Sequence, residues 1–97
     1  MFCIFLKFSS NKSQAAAHMA EHKRWIDQGF EDGIFLVTGG LAGNQGGMVL
    51  AYNTTREALE MRVALDPFVA EKVVEAEIVE MTPHRTEERL QFLLKHA

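Results

Sequence analysis

The sequence predicts one α+β domain in which strands and helices follow the order β-α-β-β-α-β. Its 97 residues, 47% of them hydrophobic and only two of them proline, fit a single core of ordinary domain size. The apolar pattern changes from a run dominated by Phe, Ile and Leu over residues 2–8 to a spacing of three and four over residues 13–32. Two later apolar runs flank a glycine-rich segment, which is typical of two strands joined by a hairpin.

The first half of the chain predicts a strand, a helix and a second strand. Residues 2–8 are rich in Phe, Ile and Leu and end at a polar break. The helix over residues 13–32 is expected to turn these positions toward the core: Ala15, Met19, His22, Ile26 and Phe30. Gly33 ends the helix because glycine adopts a left-handed conformation without strain. Residues 34–38 then form the second strand.

The second half predicts a strand over residues 48–52 and a helix over residues 55–65. The segment from Gly39 to Gly47 joins the strand over residues 34–38 to the strand over residues 48–52 as a flexible hairpin. Thr54 and Glu57 match a capping box, which marks a helix start. This helix is expected to bury these side chains: Ala58, Met61 and Leu65. Asp66-Pro67 ends it, because proline disfavours helical geometry at the residue before it.

The chain closes with a fourth strand and an added helix. Residues 67–72 form a turn or short helix, and residues 73–81 alternate as a strand does. Residues 86–96 carry leucines at helical spacing and predict an amphipathic helix. The whole order is that of the ferredoxin-like fold, a four-stranded antiparallel sheet with both helices on one face.

Both faces of the predicted sheet are apolar, so one of them needs a partner. In the first strand Phe2, Ile4, Leu6 and Phe8 oppose Cys3 and Phe5, and in the second Ile34 and Leu36 oppose Phe35 and Val37. Helices cover only one of these sets, and the other forms the kind of exposed apolar surface that marks an interface. The sequence therefore predicts a homodimer that pairs through its sheet faces.

Charge and composition exclude other partners. Ten Lys and Arg against thirteen Asp and Glu give a net charge of −3, without the clustered positive field that nucleic-acid binding requires. No segment reaches the ~18 apolar residues that span a bilayer, so no membrane is expected. Cys3 is the single cysteine and forms no internal disulfide, which favours a cytoplasmic location.

His22 and Asp66 are the residues best suited to acid/base chemistry. An imidazole exchanges protons near neutral pH, and a carboxylate beside it fixes its tautomer and stabilises its charged form. The helical wheel places His22 with Met19 and Ile26. Two structural alternatives stay open: a hydrogen-bonded histidine at the edge of the core, and an N-cap role for Asp66 ahead of Pro67.

Other patterns carry weaker signals. His18, Glu21 and His22 spell H-x-x-E-H, a zinc peptidase pattern, but such peptidases need a third ligand and a far longer chain, so no metal is expected. The glycine-rich segment lacks the phosphate-binding spacings, and no cofactor is expected. Trp25 and Phe68 are candidates to line a pocket for a ring-shaped ligand, with ordinary core packing as the alternative.

Three segments together resemble the YciI-like family of the dimeric α+β barrel superfamily. They are residues 22–40, the tripeptide Asp66-Pro67-Phe68 and residues 74–80, and the likeness spans residues 1 to about 83. In that family a histidine precedes one glycine by eleven positions and a strand-end glycine by seventeen, here His22, Gly33 and Gly39. The resemblance implies one YciI-like (YCII-related) domain over residues 1–97, with a core over 1–83 and a helical extension over 84–97.

The resemblance also implies a function. His22 and Asp66 would be the catalytic pair, with Trp25, Gly39, Gly40 and Phe68 binding the substrate. The expected reaction is a cofactor-independent elimination, isomerisation or hydrolysis of a small cyclic or aromatic compound. The alternative is a non-catalytic dimeric module that binds a small ligand or acts in a stress response.

Overall fold

The computed structural model describes residues 1–96 and contains four strands and three α-helices within them. They follow in this order: β1 (Phe2–Phe8), α1 (Ala15–Glu31), β2 (Phe35–Gly40), β3 (Gly46–Ala51), α2 (Arg56–Ala64), α3 (Pro67–Ala70) and β4 (Val74–Glu80). A 3₁₀ turn, Lys12–Gln14, precedes α1, and a 3₁₀ segment, Glu88–His96, follows β4. Ala97, the last residue of the predicted extension, lies outside the described residues.

The strands form one sheet in the order β2-β3-β1-β4, and every neighbouring pair is antiparallel. Strands β1 and β2 are therefore parallel to each other with β3 between them, as a crossover through α1 requires. The predicted α+β class, with a ferredoxin-like four-stranded antiparallel sheet, is confirmed. No helix in residues 1–96 has the length and apolarity needed to cross a bilayer.

The core lies between the sheet and the helices. Phe2, Ile4 and Leu6 of β1 are buried, whereas Cys3 between them is half-buried on the other side. This is the alternation expected of a strand. The opposite side of the sheet is called the open face here. It carries Cys3, Phe5, Val37, Leu50 and Val79, as the pairing register shows.

A bulge in β2 changes the faces that were predicted for that strand. Phe35 pairs with Ala51 and Val37 pairs with Leu50, so Leu36 is an extra residue in the ladder. Phe35 is consequently buried beneath the helices, while Val37 is 53% exposed on the open face. The prediction that Phe35 and Val37 share a face is wrong, because the bulge shifts the alternation by one residue.

The side that helix α1 turns to the sheet matches the prediction only in part, with Ala15 packed against the core as expected. Gly29 is its buried residue and Trp25 packs against the core. Met19 and Phe30, which were expected inside, are 37% and 40% exposed. The helix lies so close to β2 that a Cβ on Gly29 would overlap the ring of Phe35. A glycine carries no apolar signal, so the pattern did not reveal this contact.

The end of α1 is the one predicted. Gly33 has φ +74°, its N–H donates to the Phe30 carbonyl, and the N–H of Ile34 donates to the Gly29 carbonyl. These two bonds form a Schellman motif.

Helix α2 begins one residue later than predicted. Thr55 is the N-cap, because its Oγ1 accepts a hydrogen bond from the Ala58 N–H at 3.1 Å. The capping box assigned to Thr54 and Glu57 is therefore wrong. The Thr54 hydroxyl instead donates to the Thr55 carbonyl at 3.4 Å.

The buried face of α2 also differs from the prediction. Leu59 and Val63 are buried, while Ala58 is exposed and Met61 and Leu65 are 73% and 76% exposed. Both sets have helical spacing, so periodicity alone does not choose between them. The contact with the sheet makes the choice.

The chain after β4 crosses one end of the open face. Leu93 is buried there, and the ring of Phe92 meets Tyr52 edge-on at 5.4 Å. The α-helix expected over residues 86–96 is instead the 3₁₀ segment Glu88–His96. A 3₁₀ helix aligns residues three apart, and Leu90 and Leu93 accordingly both line a second cavity of about 1070 Å³ beneath this segment.

Candidate active site

His22 and Asp66 meet where α1 passes the start of α3. Nδ1 of His22 lies 2.7 Å from Oδ1 of Asp66, across 44 positions of sequence. The Asp66 side chain is fully buried and that of His22 is 12% exposed. An ionised carboxylate only accepts hydrogen bonds, so the Nδ1 of a neutral His22 carries the proton and its Nε2 holds the free lone pair.

Asp66 has a second role at the start of α3. Its Oδ1 also accepts the N–H of Phe68 at 3.0 Å, and Pro67 occupies the first turn, as suits a helix start. Oδ2 is buried and has no hydrogen-bond partner among residues 1–96. One oxygen thus receives both donors, and the predicted capping and histidine-binding geometries coexist in one carboxylate.

His22 forms part of the wall of a cavity of about 260 Å³ between α1 and the helix side of the sheet. Its apolar walls include Leu6, Phe8, Met19, Ile26, Phe68 and Val74. Its polar side chains are His22, Lys23 and Thr38. Asp66 is not part of the lining. The carboxylate therefore contacts the cavity only through the imidazole.

The cavity exists because side chains are missing from the sheet beneath α1. Leu6 pairs with Gly47, and Gly47 pairs with Gly40, so these three positions share one face. Leu6 fills its part of that face, while Gly47, which belongs to the cavity lining, contributes no side chain. Gly46 allows β3 to approach β1, since a Cβ there would overlap the Leu6 carbonyl and its φ is +124°.

Phe68 holds the imidazole from one side. Its ring lies parallel to that of His22, with 3.9 Å between the centroids and 2° between the planes. Phe68 is itself buried and belongs to the cavity lining. The stacking and the Asp66 hydrogen bond together fix both the tilt and the rotation of the histidine ring.

Trp25 lies behind this site. Its Nε1 donates to the Arg62 carbonyl at 2.9 Å, and its ring meets Phe35 edge-on. Arg62 in turn donates to Asp32 at 2.9 Å. Hydrogen bonds from Gln28 and from Arg62 lower the pKa of Asp32 below its usual value. These contacts join the end of α1 to α2 and so help to position the helix that carries His22.

The structure brings part of the predicted site together. His22, Gly39 and Phe68 line the cavity, Asp66 lies behind His22, and Trp25 and Gly40 are not in the lining. Substrate binding by the four predicted residues stays a prediction. No group of three or more His, Cys, Asp and Glu side chains suited to a metal ion occurs within the described part of the chain.

Two polar residues of the lining were missed from the sequence. Thr38 comes from β2, and Lys23 of α1 was not among the positions predicted to face the core. The signal for Lys23 was available, because it follows Met19 by four positions and therefore lies one turn along the same side of the helix.

Comparison with known proteins shows the fold. The chain is similar to 5-chloro-2-hydroxyhydroquinone dehydrochlorinase from Burkholderia phenoliruptrix AC1100, solved in complex with 2,5-dihydroxybenzoquinone. The TM-score is 0.67 and the identity 12%, over 84% of this chain and 93% of that one. No protein-family profile and no curated protein matches the chain. Membership of the YciI-like family therefore stays a prediction.

Proposed function

We propose that this protein is a cofactor-independent enzyme that moves a proton on a small cyclic or aromatic compound. One observation carries the proposal: His22 reaches the cavity while its Nδ1 is bound, at 2.7 Å, to a carboxylate sealed behind it. We infer on the same basis that the chain is a YciI-like domain, with its core over residues 1–83.

The chemistry follows from the two ring nitrogens. Nε2 accepts a proton from a carbon or oxygen of the substrate, and the positive charge that develops on the ring is stabilised by Asp66. Apolar walls strengthen this interaction because they lower the local dielectric constant. Return of the proton at another atom gives an isomerisation, departure of a leaving group gives an elimination, and abstraction from water gives a hydrolysis.

The size of the cavity supports a substrate with one ring. A cavity of ~150 Å³ holds benzene, and the one beside His22 measures about 260 Å³. There is room for a single ring with a few substituents. The dehydrochlorinase of similar fold, with 2,5-dihydroxybenzoquinone bound, accommodates a ring of this size.

The test compares two histidines of α1. Wild type, His22→Gln and His18→Gln are assayed on halogenated hydroquinones and small lactones, with chloride release and ring absorbance as readouts. His18 is one turn away and does not line the cavity. We expect His22→Gln to lower kcat/KM by about 10²- to 10⁴-fold. His18→Gln is expected to leave kcat/KM within about twofold, as for a residue outside the chemistry.

Equal turnover by wild type and His22→Gln would contradict the catalytic role of His22. The non-catalytic alternative predicts a different pattern, in which these compounds bind but none is converted by either protein. Binding is followed separately by isothermal titration, so the two functions are distinguished in one set of samples.

We also propose that two copies pair through their open faces. That face carries half-buried Cys3 and the exposed Val37 and Val79. Lys7 and Glu77 lie on the same face by register, so it offers both charge signs to a copy of itself. A cytoplasmic location is part of the proposal, since Cys3 has no second cysteine to pair with.

A further inference from the structure

The charged lining of the cavity beside His22 has only one sign, which is positive. Lys23 belongs to its lining and no Asp or Glu does. Lys23 forms no salt bridge with any side chain in residues 1–96. Lys12 adds a second positive charge nearby, because its Nζ lies 4.6 Å from the ring centroid of Phe8, another lining residue.

We propose that Lys23 makes this cavity selective for ring compounds that carry an anionic group, such as a carboxylate or a phenolate. This inference rests on the proposed function, because it takes the cavity beside His22 as the ligand site. It adds the substrate class: one ring, packed against apolar walls, with its negative charge directed to the lysine.

The position of Lys23 fits that role. The residue is exposed and also belongs to the lining, which suits a lysine that lays its methylene stem along apolar surface and keeps its ammonium in water. An anion at the rim stays partly hydrated and avoids the large cost of a charge buried without a partner. The apolar ring then extends inward to Phe68, where it reaches the imidazole of His22.

The second cavity lies under the 3₁₀ segment after β4. It is larger, and the Thr86 hydroxyl near it is buried without a hydrogen-bond partner in residues 1–96. Its walls include Val37 and Leu50 of the open face, which the proposed second copy would cover. It therefore belongs to the dimer proposal already made.

The test uses benzoate and benzamide, which have the same ring and nearly the same size but differ in charge. Their dissociation constants are measured by NMR titration at low ionic strength for wild type, Lys23→Met and Arg24→Met. The methionine keeps an apolar stem and removes the charge. Arg24 is the matched control, since it is exposed on the same helix, does not line the cavity, and its loss changes the net charge equally.

We expect wild type and Arg24→Met to bind benzoate about fivefold more tightly than benzamide, the size of one partly solvated ion pair. In Lys23→Met the ratio falls to about one while benzamide affinity is unchanged within about twofold. Addition of salt lowers the wild-type ratio, because screening weakens the pair.

Three outcomes would overturn the inference: a wild-type ratio near one, an unchanged ratio in Lys23→Met, or no binding of either probe to wild type. Both probes are unreactive, so the result is independent of the His22 assay. If turnover depends on His22 but wild type binds benzoate and benzamide equally, only the preference for anionic ligands is refuted. If wild type prefers benzoate but no substrate is converted, the proposed enzyme activity is refuted and the preference for anionic ligands is retained.

Discussion

At the scale of residues, the site depends on one carboxylate oxygen of Asp66 that accepts two hydrogen bonds. Oδ1 of Asp66 receives both the His22 Nδ1–H and the Phe68 N–H, while Oδ2 has no partner in the described part of the chain. An asparagine places its carbonyl oxygen where Oδ1 is and keeps both bonds. What it loses is the negative charge that stabilises a protonated imidazole.

Two substitutions at Asp66 should therefore separate chemistry from stability. Asp66→Asn keeps the cap, so we expect its free energy of unfolding within about 1 kcal/mol of wild type and its kcat at least about tenfold lower. Asp66→Ala removes the cap and leaves a buried donor unpaired, which lowers the free energy of unfolding by about 2 kcal/mol.

Urea denaturation and the pH dependence of kcat/KM check these expectations. A purely structural aspartate would leave the pH profile of Asp66→Asn like that of wild type. A changed profile with normal stability identifies Asp66 as a positioning residue for His22.

At the scale of elements, packing decides what periodicity leaves open. The sequence predicts that α2 exists but not which side is buried. The pair Leu59 and Val63 and the pair Met61 and Leu65 both have the four-residue spacing of one helix face. The bulge at Leu36 likewise could not be predicted from the pattern of apolar residues. Strand β1 and the end of α1 at Gly33 were predictable, because an apolar run that ends at a polar break and a left-handed glycine are local signals.

Substitution of Gly29 by alanine provides a test in which helix propensity and core packing change the free energy of unfolding in opposite directions. Alanine favours a helix over glycine by about 1 kcal/mol. A Cβ at this position would overlap Phe35, however, and overpacking of a core costs about 1 to 3 kcal/mol. We expect Gly29→Ala to lower the free energy of unfolding, as measured in urea.

The double variant Gly29→Ala/Phe35→Leu should recover part of the loss, since the smaller side chain makes room. Gly39→Ala is the control, because a Cβ there meets no atom within 4 Å. A more stable Gly29→Ala would show that α1 moves away from β2 at little cost.

At the scale of the whole molecule, the sheet separates the cavity from an exposed apolar surface. The helix side contains His22 and its cavity, and the open face carries the exposed apolar side chains Val37 and Val79. The pairing of His22 with Asp66 across the fold was anticipated through a family resemblance rather than through periodicity. Local patterns carry no information on which distant residues meet, and the missing side chain of Gly47 beside Leu6 shows only when the strands are in register.

Pairing through the open face predicts a mass in solution twice that of the chain. Val37→Glu places a charge in the proposed interface, where burial without a partner is unfavourable, and should shift the protein to monomer. Met61→Glu alters the exposed side of α2, away from that face, and should leave the dimer intact. Light scattering after gel filtration measures both. A monomeric wild type, or a dimeric Val37→Glu, would refute the pairing.

The double role of Asp66 also affects how relatives of this chain are to be interpreted. Evolutionary drift at position 66 removes a helix cap as well as the carboxylate bonded to His22, so selection for folding alone retains an aspartate or an asparagine there. His22 caps no helix and is partly exposed, so folding constrains it only through its hydrogen bond to Asp66 and its stacking on Phe68. Among homologues, a histidine at position 22 is thus a better mark of the proposed activity than a capping residue at position 66.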